Sequence, residues 1–402
     1  MYNAVLLSGM LLALASAITL ASQRAVLAQA SGGGAVAPAA DASLAEQELG
    51  RLLFWDPILS GHRDVACATC HHPDLAYADG RELSLGVGAT GLGPGRADRS
   101  DGSIPVVRRN APTILNVLFN GADDRRGGRG RRRAVFDGTP ASVNQTAAPM
   151  FWDSRVRSLE AQALEPIKSL EEMRGTAYAE DAAVDQVVAR LRGVPAYVAL
   201  FERAFGAGTI IDAAHLGRAI AAFERTLVAM NSPFDRFRAG DRRALSAQQQ
   251  RGLDAFEDAG CDECHDGPMF SDYDLHAEGV AEHPLLEEAD SGGGRFRFRT
   301  PTLRNVALTA PYMHNGTLAT LEDVLRFYDE GRSRNPNVAD GRNARRGLAR
   351  LDNDFRRVDD LTDQEQADIV AFLRTLTDPA FDRRVPERVP SGLPPGGRIG
   401  GL

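Results

Sequence analysis

Apolar side chains recur at three- and four-residue spacing through most of this chain, and strand-type alternation is scarce, so the pattern predicts a mainly α-helical protein. The clearest example opens at Thr362-Asp363-Gln364-Glu365, a capping box followed by an apolar face of Ile369, Phe372, Leu373 and Leu376. A second stripe has the i, i+3, i+4, i+7 spacing of a helix face, at Leu321, Val324, Leu325 and Tyr328. We therefore expect helices joined by long loops.

Three sequence blocks occur twice in the same order. The repeated pairs are Gln47-x-x-Gly50-x-x-x-Phe54 with Gln249-x-x-Gly252-x-x-x-Phe256, residues 112–117 (PTILNV) with 301–306 (PTLRNV), and Ser158-Leu159-Glu160 with Thr320-Leu321-Glu322. Such repetition predicts an internal duplication. We place the two domains at residues 41–228 and 229–384, with the boundary near Val228.

The two ends of the chain have unusual compositions. Residues 4–21 form an apolar run without a charge, and Ala28-Gln29-Ala30 fits a cleavage site, so residues 1–30 are interpreted as an export signal. An uncleaved membrane anchor is the alternative, because no Lys or Arg precedes the run. Residues 31–40 are expected to be a linker, and residues 385–402, rich in Pro and Gly, a flexible tail that does not fold alone. No other stretch is apolar and long enough to span a bilayer.

The net charge of the chain argues against one class of partner, and one loop differs from the rest in its charge. The net charge of −8 argues against nucleic acid as a general partner. The segment Gly121–Ala148 carries six Arg against three Asp and little apolar content, which is typical of a loop. It could dock an acidic partner, or it could be a solvated loop without a partner.

The chemistry of the chain is concentrated in a C-x-x-C-H pentad that also occurs twice, as Cys67-Ala68-Thr69-Cys70-His71 and Cys261-Asp262-Glu263-Cys264-His265. In such a pentad two thiols bind one haem covalently and the adjacent imidazole ligates its iron. A zinc site would need four converging ligands, and a redox pair would not need the histidine. We therefore predict two c-type haems in two cytochrome c-like domains. His72, next to His71, is expected at the surface.

Further motifs carry a family resemblance. The segments 150–155 (MFWDSR), 165–167 (EPI) and 300–312 (TPTLRNVALTAPY), with both pentads, resemble the bacterial di-haem cytochrome c peroxidase and MauG family over essentially the whole mature chain. The one large departure is the insertion at 121–148. The resemblance implies a peroxidatic N-terminal haem domain, an electron-transfer C-terminal haem domain and a periplasmic enzyme.

Two positions place the chain nearer to the MauG branch of that family. Peroxidases of the family close the first haem with a histidine sixteen residues after the proximal one, and Val87 stands at that position here. An aliphatic side chain cannot ligate iron, so the first haem is expected to be open. The register also places Tyr328 where the peroxidases supply a Met to the second haem. Met313 and His314 are competing ligands, and Tyr328 could also be a core residue.

The resemblance further assigns catalytic residues and an ion. It implies that Glu172 is the acid–base residue for peroxide cleavage and that Gln162 is its amide neighbour. Glu171 and Glu160 are substitutes, and Ser169-x-x-Glu172 also fits a structural capping box. Trp152 would relay electrons between the haems, although a single Trp is often core packing. An inter-haem calcium would map to Asn110, Thr309 and Pro311.

Three functions remain compatible with the sequence. The first is a MauG-type oxidase that reacts with hydrogen peroxide and withdraws electrons from Trp or Tyr side chains of a partner protein. The second is a cytochrome c peroxidase that uses a small cytochrome or cupredoxin as electron donor. The third is a di-haem electron carrier without catalysis, which a bond between the first haem and His62 or His72 would favour.

Overall fold

Helices carry most of the regular structure, which confirms the prediction of a mainly α-helical protein. The computed structural model describes residues 43–121, 146–340, 348–353, 355, 358 and 360–399. The helices are α1 Leu44–Trp55, α2 Cys67–Cys70, α3 Leu159–Gln162, α4 Glu165–Lys168, α5 Ala183–Arg192, α6 Pro195–Phe205, α7 Ala213–Glu224, α8 Pro233–Arg238, α9 Ala247–Asp258, α10 Leu321–Asp329 and α11 Asp363–Arg374. The predicted signal segment, the linker and most of the 121–148 insertion lie outside the described residues.

Short turns and two-residue strands connect the helices. A π-helical turn covers Leu170–Arg174, and single 3-10 turns cover Pro57–Leu59, Pro73–Leu75, Gly93–Gly95, Val117–Phe119, Glu180–Ala182, Cys261–Glu263 and Val306–Leu308. The strands are β1 Ala89–Thr90, β2 Ala97–Asp98, β3 Pro149–Met150, β4 Val156–Arg157, β5 Leu275–His276, β6 Phe298–Arg299, β7 Val338–Ala339 and β8 Ala349–Arg350. Strands pair as β1–β2, β3–β4 and β5–β6 antiparallel and β7–β8 parallel. Within the described ranges, no helix is long and apolar enough to cross a bilayer.

The capping box predicted at Thr362 is present. The Glu365 N–H donates to Thr362 Oγ at 3.2 Å, and the Thr362 N–H donates to Glu365 Oε2 at 2.9 Å. These two bonds satisfy backbone donors that the first turn of α11 would otherwise leave unpaired. The predicted apolar face of α11 is buried, at Ile369, Phe372, Leu373 and Leu376.

Two helix crossings have the same kind of close backbone contact. A Cβ atom on Gly50 of α1 would lie 1.9 Å from the Ala219 carbonyl oxygen of α7, and one on Gly252 of α9 would lie 1.8 Å from the Asp368 carbonyl oxygen of α11. Glycine lets the two helix backbones approach at both crossings. The repeated Gln-x-x-Gly-x-x-x-Phe block therefore has a packing role in each half.

Substituting Gly252 by Ala should lower the free energy of unfolding on the order of 2 kcal/mol, because the added methyl group forces the backbones of α9 and α11 apart. Chemical denaturation followed by circular dichroism measures the change. Gly95→Ala is the matched control, since no heavy atom lies within 4 Å of its Cβ position and its φ is not positive. Equal stability of the two variants would contradict the proposed close contact.

Further paired contacts occur in the two halves. Asn116 and Asn305 both adopt the left-handed conformation, with φ values of 63° and 62°. Their N–H groups donate to the Leu227 and Leu376 carbonyl oxygens at 2.8 and 3.0 Å. These contacts agree with an internal duplication and with two haem domains, which stay predictions.

The C-terminal tail is held on the first haem-binding segment. The tail has no regular structure in residues 385–399, but Ser391 Oγ donates to Asp56 Oδ1 at 2.6 Å, and the Ile399 N–H donates to Asp74 Oδ2 at 3.1 Å. The prediction of flexibility from Pro and Gly content did not anticipate these partners. Asp56 and Asp74 both lie more than 300 residues before the tail residues that they bind.

The same tail corrects one prediction. His72 was expected at the surface, but its exposed fraction is 0%. Its Nε2 lies 3.0 Å from the Gly397 carbonyl oxygen, to which it donates, and its Nδ1 accepts the Asp74 N–H at 3.1 Å. The Trp55 ring packs edge-on at 5.6 Å. The prediction was wrong because local sequence does not show that the chain end returns to cover this residue.

Candidate haem sites

The first pentad forms a one-turn helix, α2, that presents its histidine to a cavity. The His71 N–H donates to the Cys67 carbonyl oxygen at 2.9 Å, and His71 Nδ1 lies 3.1 Å from the Tyr77 carbonyl oxygen. A ring N–H on Nδ1 bonds that oxygen and leaves Nε2 free to ligate a metal. Cys67 and Cys70 line the same cavity. Burial raises the pKa of the Cys70 thiol to about 12.

The second pentad repeats this arrangement. The His265 N–H donates to the Cys261 carbonyl oxygen at 2.9 Å, and His265 Nδ1 lies 2.9 Å from the Phe270 carbonyl oxygen. Burial lowers the pKa of both His71 and His265. A lowered pKa favours the neutral imidazole, which is the form that ligates iron. Cys261 and Cys264 line a second cavity.

Both cavities suit a haem in chemistry and open onto solvent. Together with that open space, their volumes are about 1300 Å³ at the first pentad and about 1200 Å³ at the second. The second has a mainly apolar wall, built from residues such as Phe256, Leu303, Val324, Leu325 and Leu373. Two thiols and one imidazole in such a cavity are the donor set of a covalently bound haem.

Trp152 lies in the wall between the two cavities. It lines both of them. Its indole Nε1 donates to the Asn110 carbonyl oxygen at 2.9 Å, and its own carbonyl oxygen accepts the Arg299 N–H at 2.6 Å. These bonds fix the ring in place, where an aromatic relay between two haems would have to be.

An ion cluster borders this tryptophan on the side of the first cavity. Arg109 Nη1 lies 2.7 Å from Asp153 Oδ2, and Arg109 Nε lies 2.6 Å from Asp290 Oδ2. The Arg109 guanidinium lowers the pKa of both carboxyl groups against the opposing effect of burial. Sequence reasoning missed this cluster, because Asp290 is 181 residues away from Arg109.

The predicted acid–base residue lines the first cavity. Glu172 lies in the π-helical turn, and its N–H donates to Ser169 Oγ at 3.3 Å. Burial, with a smaller contribution from the negative charge of Glu171, raises the Glu172 pKa to about 7. A carboxyl group with a pKa near 7 can both accept and donate a proton. Gln162 lines the same cavity, and so does Glu171.

The loop that carries Val87 packs against the turn that carries Glu172. The Val87 N–H donates to the Glu172 carbonyl oxygen at 3.2 Å. A Cβ atom on Gly86 would lie 2.1 Å from the Glu171 carbonyl oxygen, so only glycine fits there. Arg96 holds the loop by donating to the Leu85 and Gly86 carbonyl oxygens at 2.6 and 2.7 Å.

The histidines near this loop, His62 and His72, lie outside the lining of the first cavity among the described residues. Val87 is buried in the core, and among the described residues that line the first cavity His71 is the only histidine. His62 and His72, the candidate ligands of a non-catalytic carrier, do not line it. An open face at the first haem stays a prediction.

Tyr328 lines the second cavity, together with its competitors Met313 and His314. Its hydroxyl group donates to Glu278 Oε1 at 2.8 Å. Burial and the negative charge of Glu278 raise the Tyr328 pKa well above its ordinary value. His314 stacks on the Phe298 ring with the centroids 3.5 Å apart, and burial lowers its pKa to about 3. Sequence reasoning missed Glu278, which no motif marks.

The predicted calcium ligands lie on neighbouring segments. The Asn110 N–H donates to the His314 carbonyl oxygen at 2.8 Å, which places Asn110 beside the segment that contains Thr309 and Pro311. The Asn110 side-chain Nδ2 donates to the Arg81 carbonyl oxygen at 2.7 Å, so its amide oxygen faces the other way. The calcium site stays a prediction.

The chain is similar in sequence to known di-haem proteins. The sequence model of the family described as di-haem cytochrome c peroxidase matches residues 44–243. The methylamine utilization protein MauG of Methylorubrum extorquens is 34% identical over 340 residues, which cover 82% of this chain and 77% of that protein. Cytochrome c551 peroxidase of Pseudomonas aeruginosa is 35% identical over 293 residues, 70% of each chain.

A solved structure shows the same fold. The crystal structure of a MauG-like protein associated with microbial copper homeostasis superposes with a TM-score of 0.61 at 30% identity, and the match covers 84% of this chain and 90% of that one. The relatives are di-haem oxidoreductases, and the two pentads, each at the wall of its own cavity, supply the matching sites here. The chain therefore belongs to the di-haem cytochrome c peroxidase and MauG family, as an enzyme that carries two c-type haems.

Proposed function

We propose that this protein is a periplasmic oxidase of the MauG type, which reacts with hydrogen peroxide at the His71 haem and oxidises a partner protein through the His265 haem. The observation that carries the proposal is Tyr328 in the wall of the second cavity, where it could ligate the iron as a phenolate if its hydroxyl proton passed to Glu278, the acceptor of its hydrogen bond. An anionic oxygen ligand favours the oxidised states of a haem. Such a haem suits the oxidation of a difficult donor, such as a Trp or Tyr side chain.

When bound, the first haem supplies an iron that reduces peroxide by two electrons. Glu172 takes a proton from one peroxide oxygen and returns it to the other, which leaves as water. The Gln162 side chain, in the same cavity wall, holds the peroxide by hydrogen bonding. Val87 leaves room for peroxide because its side chain packs into the core.

Trp152 conducts electrons from the second cavity to the first in this proposal. Its indole ring lines both cavities, and its Nε1–H is satisfied by a carbonyl oxygen, so no solvent is needed at the ring. The carboxylates of Asp153 and Asp290 beside this residue are balanced by Arg109 and by Arg155, whose Nη1 lies 3.0 Å from Asp153 Oδ1.

Trp152→Phe should slow the arrival of oxidising equivalents at the second haem by about tenfold or more, an increase of about 1.4 kcal/mol or more in the activation free energy. The reaction of peroxide at the first haem should be unchanged. Rapid-mixing absorption spectroscopy of a single turnover separates the two steps. Trp55→Phe is the matched control, because Trp55 is buried but lines neither cavity among the described residues. Normal coupling in Trp152→Phe would contradict the relay.

A second candidate is a cytochrome c peroxidase that detoxifies peroxide with a small cytochrome or cupredoxin as donor. The similarity to a cytochrome c551 peroxidase favours it. It would use the same Glu172, Gln162 and Trp152. It differs in requiring a second haem of higher potential, which a tyrosinate at that iron would lower.

Export and calcium complete the proposal. Residues 1–30 would direct the chain to the periplasm and be cleaved, leaving no stable membrane insertion. A calcium ion at Asn110, Thr309 and Pro311 would stiffen the region between the cavities. The Arg-rich insertion 121–148 is a candidate docking surface for the donor protein.

A further inference from the structure

A second buried carboxyl group lines the first haem cavity. Glu224 is the last residue of α7, and its exposed fraction is 6%. Its Oε2 atom has no hydrogen-bond partner among the described residues. Ile220, one turn earlier on α7, lines the same cavity, and so does Cys67. A buried carboxylate without a partner raises the free energy of the folded protein. Burial therefore favours the neutral acid, and a positive charge nearby would favour the carboxylate.

The charged groups around Glu224 offset its negative charge only in part. Arg225, next to it on the chain, directs its guanidinium to Glu160 on α3, with Nη2 at 2.6 Å from Oε1. On α1, which packs against α7, Glu46 pairs with Arg218 and Glu48 pairs with Arg51. Cys67 faces Glu224 from α2, and haem attachment consumes that thiol. The other acids among the described residues of the cavity wall are Glu171, Glu172, Asp153 and Asp290, and the same wall carries Arg108, Arg109 and Arg155.

The electrostatic environment places Glu224 close to titration at neutral pH. Burial, opposed by Arg225 and assisted to a smaller extent by Glu160, raises the Glu224 pKa to about 8. The iron of a haem in the cavity adds a charge that depends on its oxidation state. One positive charge more at the iron stabilises the carboxylate, and one fewer stabilises the neutral acid.

We propose that Glu224 couples proton binding to electron binding at the first haem. When the first haem takes one electron from a reductant, the Glu224 carboxylate takes one proton from water, and both leave together on reoxidation. The net charge of the cavity is therefore the same before and after reduction. The inference rests on the proposed haem in this cavity, but it does not require the peroxide chemistry.

The sign of the expected pH dependence follows from this coupling. The Glu224 pKa is lower with the oxidised haem and higher with the reduced haem. Between the two pKa values, reduction binds one proton, so each pH unit disfavours it tenfold. The reduction potential of the first haem then falls by about 59 mV per pH unit. Outside that interval, Glu224 contributes no slope.

The experiment is a spectroelectrochemical titration of both haems in the holoprotein, at pH values below and above 8, in wild type and in Glu224→Gln. In wild type, we expect the reduction potential of the first haem to fall with pH. In Glu224→Gln this pH dependence should flatten, while the potential of the second haem should be unaffected. Glu171→Gln is the matched control, because it removes an acid from the same cavity wall and should retain the slope. A full slope in Glu224→Gln would overturn the proposal.

Two further variants decide the remaining cases. If Glu224→Gln does not incorporate haem, Glu224→Asp is measured in its place, because it keeps the carboxyl group. The reduction potential of its first haem should still fall with pH, but over a different pH range from that of wild type. A fall over the same pH range as in wild type would overturn the proposal. If the slope is lost in Glu172→Gln and not in Glu224→Gln, the coupled proton belongs to Glu172 and the proposal is wrong. Potentiometry uses no peroxide, so failure here is separate from failure of the proposed oxidase function.

Discussion

Replacing Glu172 by Gln should slow the reaction of the ferric enzyme with hydrogen peroxide by a factor of about 10² to 10⁴, the usual contribution of a positioned general acid–base group. The amide fills the same space but cannot take the peroxide proton. The rate constant is measured by rapid mixing at several peroxide concentrations. The haem content of the variant should equal that of wild type, because no haem attachment residue is changed.

The pH profile gives a second test of the same residue. Glu172 must be ionised to accept a proton, and its pKa is raised to about 7 by burial and by Glu171. The ionised fraction grows as pH rises, so the wild-type rate should rise through about pH 7 and then level off. Glu172→Gln should lose this rise. Glu171→Gln is the control, and if it proved as slow as Glu172→Gln the assignment would move to the neighbouring acid.

Replacing Tyr328 by Met should raise the reduction potential of the second haem strongly and weaken oxidation of a partner protein. A thioether is neutral, so it no longer favours the ferric state as a phenolate does. Spectroelectrochemistry of the variant measures the potential directly. We further expect the variant to accept electrons more readily from a small reduced cytochrome, as in the second candidate function.

Tyr312→Phe serves as the control for this substitution. Tyr312 lines the same cavity and donates its hydroxyl group to the Val306 carbonyl oxygen at 3.2 Å. Loss of that bond should leave the potential of the second haem close to wild type. An unchanged potential in Tyr328→Met would show that another residue, such as Met313 or His314, ligates the iron.

Local motifs predicted the haem sites because their chemistry is contained in consecutive residues. Each pentad holds two thiols and an imidazole within five positions, so folding has only to provide a cavity. The capping box at Thr362 and the apolar face of α11 depend on spacing within a single helix, and both are present. Trp152 was assigned by family resemblance, and the structure places its ring at both cavities.

Features made by distant segments could not be read from the sequence. Glu278 accepts the Tyr328 hydrogen bond across 50 positions, and Asp290 pairs with Arg109 across 181. His72 was wrongly expected at the surface because Gly397, far along the chain, covers it. Each of these contacts depends on the path of loops, for which the apolar pattern holds no information.

The packing of the Val87 loop illustrates the same limit. The family resemblance implies only that Val87 stands where the peroxidases have a histidine. The structure adds that Gly86 and Arg96 hold the loop against the Glu172 turn. The loop thus supports the turn of the proposed acid–base residue, a contact that the substitution alone does not reveal.

Low-temperature EPR of the ferric protein, wild type beside Tyr328→Phe, tests the central claim most directly. We expect one high-spin haem, from the open first site, and one low-spin haem with histidine and tyrosinate ligands whose signal is lost in the variant. Tyr312→Phe should leave both signals in place. Two low-spin haems in wild type, or a second haem indifferent to Tyr328→Phe, would contradict the MauG-type assignment and favour an ordinary peroxidase or an electron carrier.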